Sequence, residues 1–120
     1  SYRRAHADIR TPLQLAQAVF EDTSLPAYHG LAARAFRNGW DGLPPNAQGA
    51  LVATVYVRGA GMRGESRAEM RTLRDECVPA GDVQCIARAH RAMCARFEGR
   101  ADAAGLCKRF RETAALAVRA

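Results

Sequence analysis

Apolar residues recur at intervals of three and four along most of this chain, the spacing that places side chains on one face of an α-helix. Polar or glycine-containing segments separate the apolar stripes, and a Pro or a capping residue stands near the start of several of them. The pattern predicts an all-α domain of about six short helices. Their approximate ranges are residues 11–22, 24–38, 45–57, 65–77, 83–97 and 106–118.

The most apolar run, residues 50–57, is the segment whose secondary structure the pattern leaves ambiguous. Its valines favour a strand by intrinsic propensity. Pro45 suits the first turn of a helix, however, and a lone strand would have no partner for its backbone groups because no other segment has strand character. A helix that is apolar on all sides is expected to be buried. We therefore predict a buried central helix around which the others pack.

Length and composition restrict the class of protein. A chain of 120 residues with 48% apolar and 25% charged residues suits one domain, spanning residues 1–120, with residues 1–10 expected to be a flexible or cut edge. The apolar fraction is too high for a disordered chain. No run approaches the roughly 18–20 apolar residues of a membrane span, so no transmembrane segment is expected.

The net charge of +6 comes almost entirely from arginine, and Lys108 is the only lysine. Codon bias in a GC-rich genome explains such a composition, and so does a surface that attracts an anionic partner such as a nucleic acid, an anionic lipid or a bacterial wall polymer. The arginines are spread over the whole chain instead of forming a basic arm. Nucleic acid is therefore not the expected partner.

The four cysteines are compatible with two disulfides, a zinc site or buried thiols. Their spacings contain no C-x2–4-C knuckle, which disfavours zinc. Cys85 and Cys94 are nine residues apart and would point to opposite sides of one helix, so local geometry favours the pairs Cys77–Cys85 and Cys94–Cys107. Two disulfides indicate an oxidising compartment, and we expect a periplasmic or secreted protein.

Residue chemistry alone identifies no catalytic site. The three histidines are scattered without metal-binding spacing, no nucleophile or phosphate-loop motif is present, and neither a metal nor another cofactor is expected. Glu21 and Glu98 are the only acids beside large apolar residues, Phe20 and Phe97, as the general acid of a glycosidase requires. Both are expected to be solvated acids at helix ends.

Three segments resemble lysozyme-like endolysins of the tailed-phage type. Residues 43–59 read LPPNAQGALVATVYVRG, where relatives read approximately LPPxxxGALVSLVYNRG. Residues 67–75 read RAEMRTLRD and are similar to RREMRAIRD in those relatives. Upstream, Val19-Phe20 and the sequence LPAY at residues 25–28 match a V-F and an L-P-x-Y. The resemblance covers most of the chain in order, and it implies a lysozyme-like helical lobe.

The same resemblance indicates that the catalytic lobe is missing. In these muramidases a Glu on an early helix, followed by Asp and Thr in a small β-lobe, performs catalysis. This chain has no Glu before Glu21, and the position at which the pattern then requires Asp is Gly30. The catalytic residues are therefore unknown, and the expected partners include a missing N-terminal catalytic lobe or another protein.

In the family, the end of the central helix borders the glycan cleft, which places Tyr56, Val57 and Arg58 at the cleft edge. Tyr56 would stack on a sugar, and Arg58 would meet a carboxylate of a lactyl or peptide group. Val57 stands where relatives have Asn. The alternative is that Tyr56 is a core residue and Arg58 a cation favoured by the helix dipole.

These observations lead to three hypotheses of function. The first is the helical lobe of a cell-wall muramidase, from an endolysin or an antibacterial effector, that acts on peptidoglycan. The second is a catalytically inactive module of the same fold that binds the wall or a protein. The third is a small basic protein that acts on anionic membranes.

Overall fold

The computed structural model describes residues 26–100 and 104–119, and every regular element in these ranges is helical. We number the five α-helices α1 to α5 in chain order. Short 3-10 turns at Trp40–Gly42 and Glu65–Arg67 and a π-helical turn at Leu73–Cys77 complete the structure. The helices are α1 (Pro26–Ala35), α2 (Pro45–Arg58), α3 (Ala68–Thr72), α4 (Val83–Phe97) and α5 (Ala104–Ala117).

The all-helical prediction is confirmed for these residues. Five of the six predicted helices are present, and the first, at residues 11–22, lies outside the described residues. The second ends at Ala35, three residues earlier than predicted. The predicted helix over residues 65–77 is divided into a 3-10 turn, α3 and the π-helical turn, whose Val78 N–H donates to the Leu73 carbonyl at 3.0 Å.

The ambiguous apolar run is helical and central. It forms α2, which begins with Pro45 at a position where the missing N–H is no loss. The helix ends at Arg58 and is followed by Gly59, whose φ is 81°. Ala47 and residues 49–55 are buried, so the helix is covered on nearly all sides, with α1 and α5 among its neighbours. Burial supplied by these neighbours outweighs the strand propensity of the valines.

Helices α4 and α5 form an antiparallel hairpin that is bonded covalently. Cys94 on α4 pairs with Cys107 on α5, with 4.1 Å between their Cα atoms. Cys77, at the end of the π-helical turn, pairs with Cys85 in the first turn of α4 at 5.2 Å. Asp82 caps α4 by accepting the Cys85 N–H at 3.0 Å. The predicted local pairing is therefore confirmed, and both disulfides anchor α4.

One hydrophobic core joins all five helices. Its largest fully buried side chains include Phe36, Leu51, Met70, Ile86 and Phe110, one from α1 or its C-terminal end and one from each of the other helices. Each helix therefore depends on the others to remove its apolar stripe from water, which is the main stabilising contribution to a domain of this size.

A close backbone contact holds the α1–α2 connection against the end of the π-helical turn. Gly39 has a φ of 97° and its Cα faces the backbone of Val78 and Pro79. The turn that it begins places the buried Trp40 side chain in the core, and the Trp40 carbonyl accepts from Gln48 of α2 at 2.9 Å. A side chain at position 39 would meet backbone instead of solvent.

None of the helices among the described residues is both long and apolar enough to cross a membrane.

Candidate site at the C-terminal end of the central helix

The last turn of α2 carries all three residues that the sequence predicts for a glycan cleft. Tyr56, Val57 and Arg58 are each half-buried, in contrast to the fully buried residues that precede them. The Tyr56 ring meets the Tyr28 ring of α1 edge to face, with centroids 5.2 Å apart and an angle of 70° between the planes. Edge-to-face packing holds Tyr56 in one orientation while part of its surface stays accessible.

Arg58 extends from α2 across to the end of α4. Its Nη2 donates to the Ser66 carbonyl at 2.8 Å, and its guanidinium carbon lies 5.5 Å from the centroid of the Phe97 ring. Its Nη1 is shielded from solvent and has no hydrogen-bond partner among the residues that the structure describes. Burial, followed by the positive charge of Arg67, lowers the pKa of Arg58 from its ordinary value. A buried donor without a partner favours any ligand that supplies an acceptor.

Two further arginines hold the glycine-rich loop that follows α2, residues 59–64. Arg67 Nη2 donates to the Arg58 carbonyl at 2.7 Å, which satisfies one of the free carbonyls at the helix C-terminus. Arg71 Nη1 donates to the carbonyls of Met62 and Gly64 at 2.8 and 2.7 Å. The loop carbonyls therefore point at guanidinium groups, and the loop is bonded at both ends.

An ion-pair cluster connects the segment after this loop to α4. Arg96 of α4 donates to the carboxylate of Glu65 and to that of Glu69, and its Nη1 lies 2.9 Å from Glu65 Oε2. Hydrogen bonds from Arg96 lower the pKa of Glu65 below its usual value. These ion pairs join two helices, although the charge spacing within residues 65–77 alone would also allow pairs with arginines of the same segment.

Glu69 and Glu65 differ in burial, which predicts a difference in their contribution to stability. Side-chain exposure is 14% for Glu69, 88% for Glu65 and 23% for Arg96. Replacing Glu69 with Gln should lower the free energy of unfolding by about 1–2 kcal/mol because it weakens a charge-assisted hydrogen bond away from water. Glu65→Gln serves as the matched control, and its effect should be much smaller because solvent screens that pair. Urea denaturation of the two variants measures the difference, and equal losses would contradict the assignment.

Beneath this surface, α2 and α4 share a buried polar contact. Thr54 Oγ1 lies 2.5 Å from His90 Nε2, and His90 Nδ1 donates to the Ile86 carbonyl at 2.8 Å. Because Nδ1 carries the proton, Nε2 accepts from the Thr54 hydroxyl. Burial, helped by the positive charge of Arg58, lowers the pKa of His90 to about 4. His90 is therefore neutral at physiological pH and has no access to a ligand at the surface.

The structure separates the other candidates of the sequence from this site. Glu98 follows α4 and is exposed, as predicted for a solvated acid at a helix end, whereas Glu21 lies outside the described residues. The four cysteines are bonded to one another and contribute no free thiol. No group of three or more potential metal ligands occurs within residues 26–100 and 104–119.

Phe97, Arg67 and Tyr28 are the residues at this site that the sequence analysis did not assign to it. Tyr28 had a signal in the sequence, since it belongs to the L-P-x-Y match, but its contact with Tyr56 depends on how α1 packs on α2. Phe97 had no such signal because its periodicity indicated only a core position.

Comparison with known proteins yields no matching family model, and neither a curated protein nor a solved structure is significantly similar to the chain. The lysozyme resemblance therefore rests on the sequence segments alone.

Proposed function

We propose that the chain is the helical lobe of a lysozyme-like domain and that it binds bacterial peptidoglycan at the C-terminal end of α2. The observation that carries the proposal is the half-buried Tyr56, which Tyr28 holds edge to face beside Arg58. An oriented aromatic ring offers its face to the C–H groups of a sugar, and an adjacent guanidinium suits a carboxylate.

Charge and disulfides support the same class of target. Peptidoglycan carries lactyl and peptide carboxylates, and a protein of net charge +6 is attracted to such a polyanion. Two disulfides and the absence of a spanning helix from the described residues are compatible with a periplasmic or secreted protein. An endolysin or an antibacterial effector would meet its substrate in that location.

Catalysis is assigned to residues other than those of the candidate site. In the intact enzyme a separate catalytic lobe would supply the general acid that cleaves the bond between N-acetylmuramic acid and N-acetylglucosamine. Neither Tyr56 nor Arg58 carries the carboxyl group that a glycosidase uses as its general acid. The isolated chain should bind the wall and release few or no muropeptides.

A binding assay with purified, insoluble peptidoglycan tests the proposal. Tyr56→Ala should weaken binding by at least about tenfold, since loss of a stacking face costs roughly 1–3 kcal/mol in comparable aromatic platforms. Tyr56→Phe keeps the ring and should bind like the parent chain. Val118→Ala, at the exposed C-terminal end of α5, controls for loss of apolar surface elsewhere. Unchanged binding by Tyr56→Ala would refute the assignment of the site.

The second function, a catalytically inactive module, is favoured by the absence of the Glu-Asp-Thr pattern from the sequence. Muropeptide release by the chain distinguishes the two functions. Release that Glu21→Gln abolishes would show that the chain is itself a muramidase, whereas wall binding without release supports the lobe or the inactive module. Joining the chain to an active catalytic lobe then distinguishes the helical lobe from the inactive module. Only a functional helical lobe would raise the activity of the attached catalytic lobe.

A further inference from the structure

A second surface, the groove between the end of α4 and the start of α5, concentrates positive charge. Residues 97–100 form one wall, and Cys107, Lys108 and Arg111 form the other, around a cavity of about 390 Å³ that is open to solvent. Three cations, Arg100, Lys108 and Arg111, face this space with one carboxylate, Glu98. The formal charge of these described lining residues is therefore +2.

Several other arginines of the described chain already have hydrogen-bond or ion-pair partners in the protein. Arg67 and Arg71 donate to loop carbonyls, and Arg96 is held by two glutamates. In the groove, by contrast, Lys108 has no ion-pair partner among the described residues, and Arg111 donates only a long 3.8 Å contact to the Cys107 sulfur. These two cations are available to an external anion.

The groove is also held in shape before any ligand arrives. The Cys94–Cys107 disulfide bonds the last turns of α4 to the first turns of α5, so the two walls cannot separate. The Arg100 guanidinium carbon lies 5.4 Å from the centroid of the Phe97 ring, which gives that side chain an orientation. A preorganised site loses less conformational entropy when it binds.

We propose that this groove binds a small ligand that carries a phosphate group. The Arg111 guanidinium and the Lys108 ammonium supply several donors around one tetrahedral oxyanion, and two available cations are more than one carboxylate requires. The volume suits a single small ligand, because such sites measure roughly 300–1,000 Å³. Phe97 adds an apolar wall for the organic part of the ligand. The groove shares Phe97 with the candidate glycan site but contains neither Tyr56 nor Arg58, and its anion-binding cations, Lys108 and Arg111, play no part in the proposed peptidoglycan contact.

Titration of the full chain with inorganic phosphate, followed by two-dimensional amide NMR at constant ionic strength, tests the proposal. We expect saturable shifts confined to residues 97–100 and 105–111. Lys108→Gln and Arg111→Gln should each raise the dissociation constant by about five- to tenfold, and Glu98→Gln should lower it by about threefold, because each changes one charge next to the anion. Arg91→Gln is the matched control on the exposed side of α4 and should change it less than about twofold.

Four outcomes would overturn the proposal. The first is shifts that do not saturate, and the second is an Arg91→Gln variant that binds as weakly as Lys108→Gln, which would show that only net charge matters. The third is binding of acetate as tight as that of phosphate. The fourth is a titration with a single-stranded oligonucleotide in which the amide shifts extend to Arg88 and Arg91. That result would indicate an extended surface for polyanions instead of a groove for a single ligand. Once phosphate binding is established, a nucleoside monophosphate and phosphatidylglycerol vesicles distinguish a free ligand from a lipid headgroup.

Discussion

Replacing Gly39 with alanine is expected to lower the free energy of unfolding by about 3–5 kcal/mol, a loss of the size seen for severe packing defects. The φ of 97° at this position is a conformation that residues with a Cβ adopt only at a cost of about 1–2 kcal/mol. An added Cβ would also lie 2.9 Å from the Val78 carbonyl carbon and 3.0 Å from the Pro79 Cα, and closer still to the Val78 oxygen.

The consequence would extend beyond the turn itself because the contact joins two parts of the fold. Gly39 precedes the 3-10 turn that carries the buried Trp40, whereas Val78 follows the disulfide-bonded Cys77. Backbone atoms cannot rotate away as a flexible side chain can. Relief of the clash therefore requires either the Trp40 turn or the end of the π-helical turn to shift, and both are packed into the core.

Gly81→Ala is the matched control for this prediction. Gly81 also has a positive φ, 63°, but nothing lies within 4 Å of a Cβ built there. Its substitution should cost about 1 kcal/mol, which is the conformational penalty without the clash. Urea denaturation of both variants, followed by circular dichroism, separates the two contributions. Equal losses at the two positions would mean that the close approach at Gly39 contributes nothing.

Acidification from pH 6.5 to pH 4 is expected to destabilise the protein by about 3 kcal/mol through His90 alone. In the unfolded chain this imidazole titrates near its ordinary pKa of 6.5, whereas in the folded protein its pKa is lowered to about 4. Folding therefore favours the neutral form. The stability is complete above pH 6.5, is lost progressively as the pH falls, and decreases no further through this group below pH 4.

Burial decides the direction in which the pKa of His90 shifts, because the hydrogen bonds of the ring are satisfied in either protonation state. Neutral His90 donates from Nδ1 to Ile86 and accepts from Thr54 at Nε2, while a protonated ring would donate to both. In the second case the Thr54 hydroxyl is released to the Ala50 carbonyl, 3.0 Å away. The cost of protonation is therefore the burial of a charge between α2 and α4, to which the nearby Arg58 adds repulsion.

His90→Gln provides the comparison, since glutamine keeps hydrogen-bonding groups and does not titrate. Its unfolding free energy should change little between pH 7 and pH 4.5, whereas that of the parent chain should fall by about 2.4 kcal/mol in total over the same interval. Urea denaturation at several pH values gives both curves. Parallel curves for the two proteins would show that His90 is not the source of the pH dependence.

For the fold, the sequence predicted what depends on local periodicity and failed where the tertiary structure interrupts it. The range predicted for α4 from its apolar spacing, residues 83–97, is the range that the structure shows, and Asp82 caps its start. Residues 65–77 have an equally regular pattern, yet they are divided into three segments. The i,i+5 hydrogen bond that forms the π-helical turn depends on how this segment packs, and no spacing in its sequence indicates it.

For the candidate site, the resemblance located Tyr56, Val57 and Arg58 at one helix end, and their half-burial is a finding of the structure. The partners of these residues were not predictable, because Tyr28 and Phe97 reach the site from helices that are distant in the chain. The same holds for Glu65 and Glu69. The charge spacing within residues 65–77 allows local pairs equally well, but Arg96 of α4 offers a less solvated bidentate partner.

The sequence by itself determined the all-helical class, the helical state of the central apolar run, the range of α4 and the local pairing of the four cysteines. Each of these depends on residues close together in the chain, where spacing translates directly into geometry. Only the tertiary structure decided which side chains meet across helices. The contact between Gly39 and Val78, the burial of His90 against Thr54 and the assembly of the basic groove all join distant segments. Such contacts arise because the helices pack around one core. The local sequence pattern of a helix does not indicate which face of another helix it will contact there.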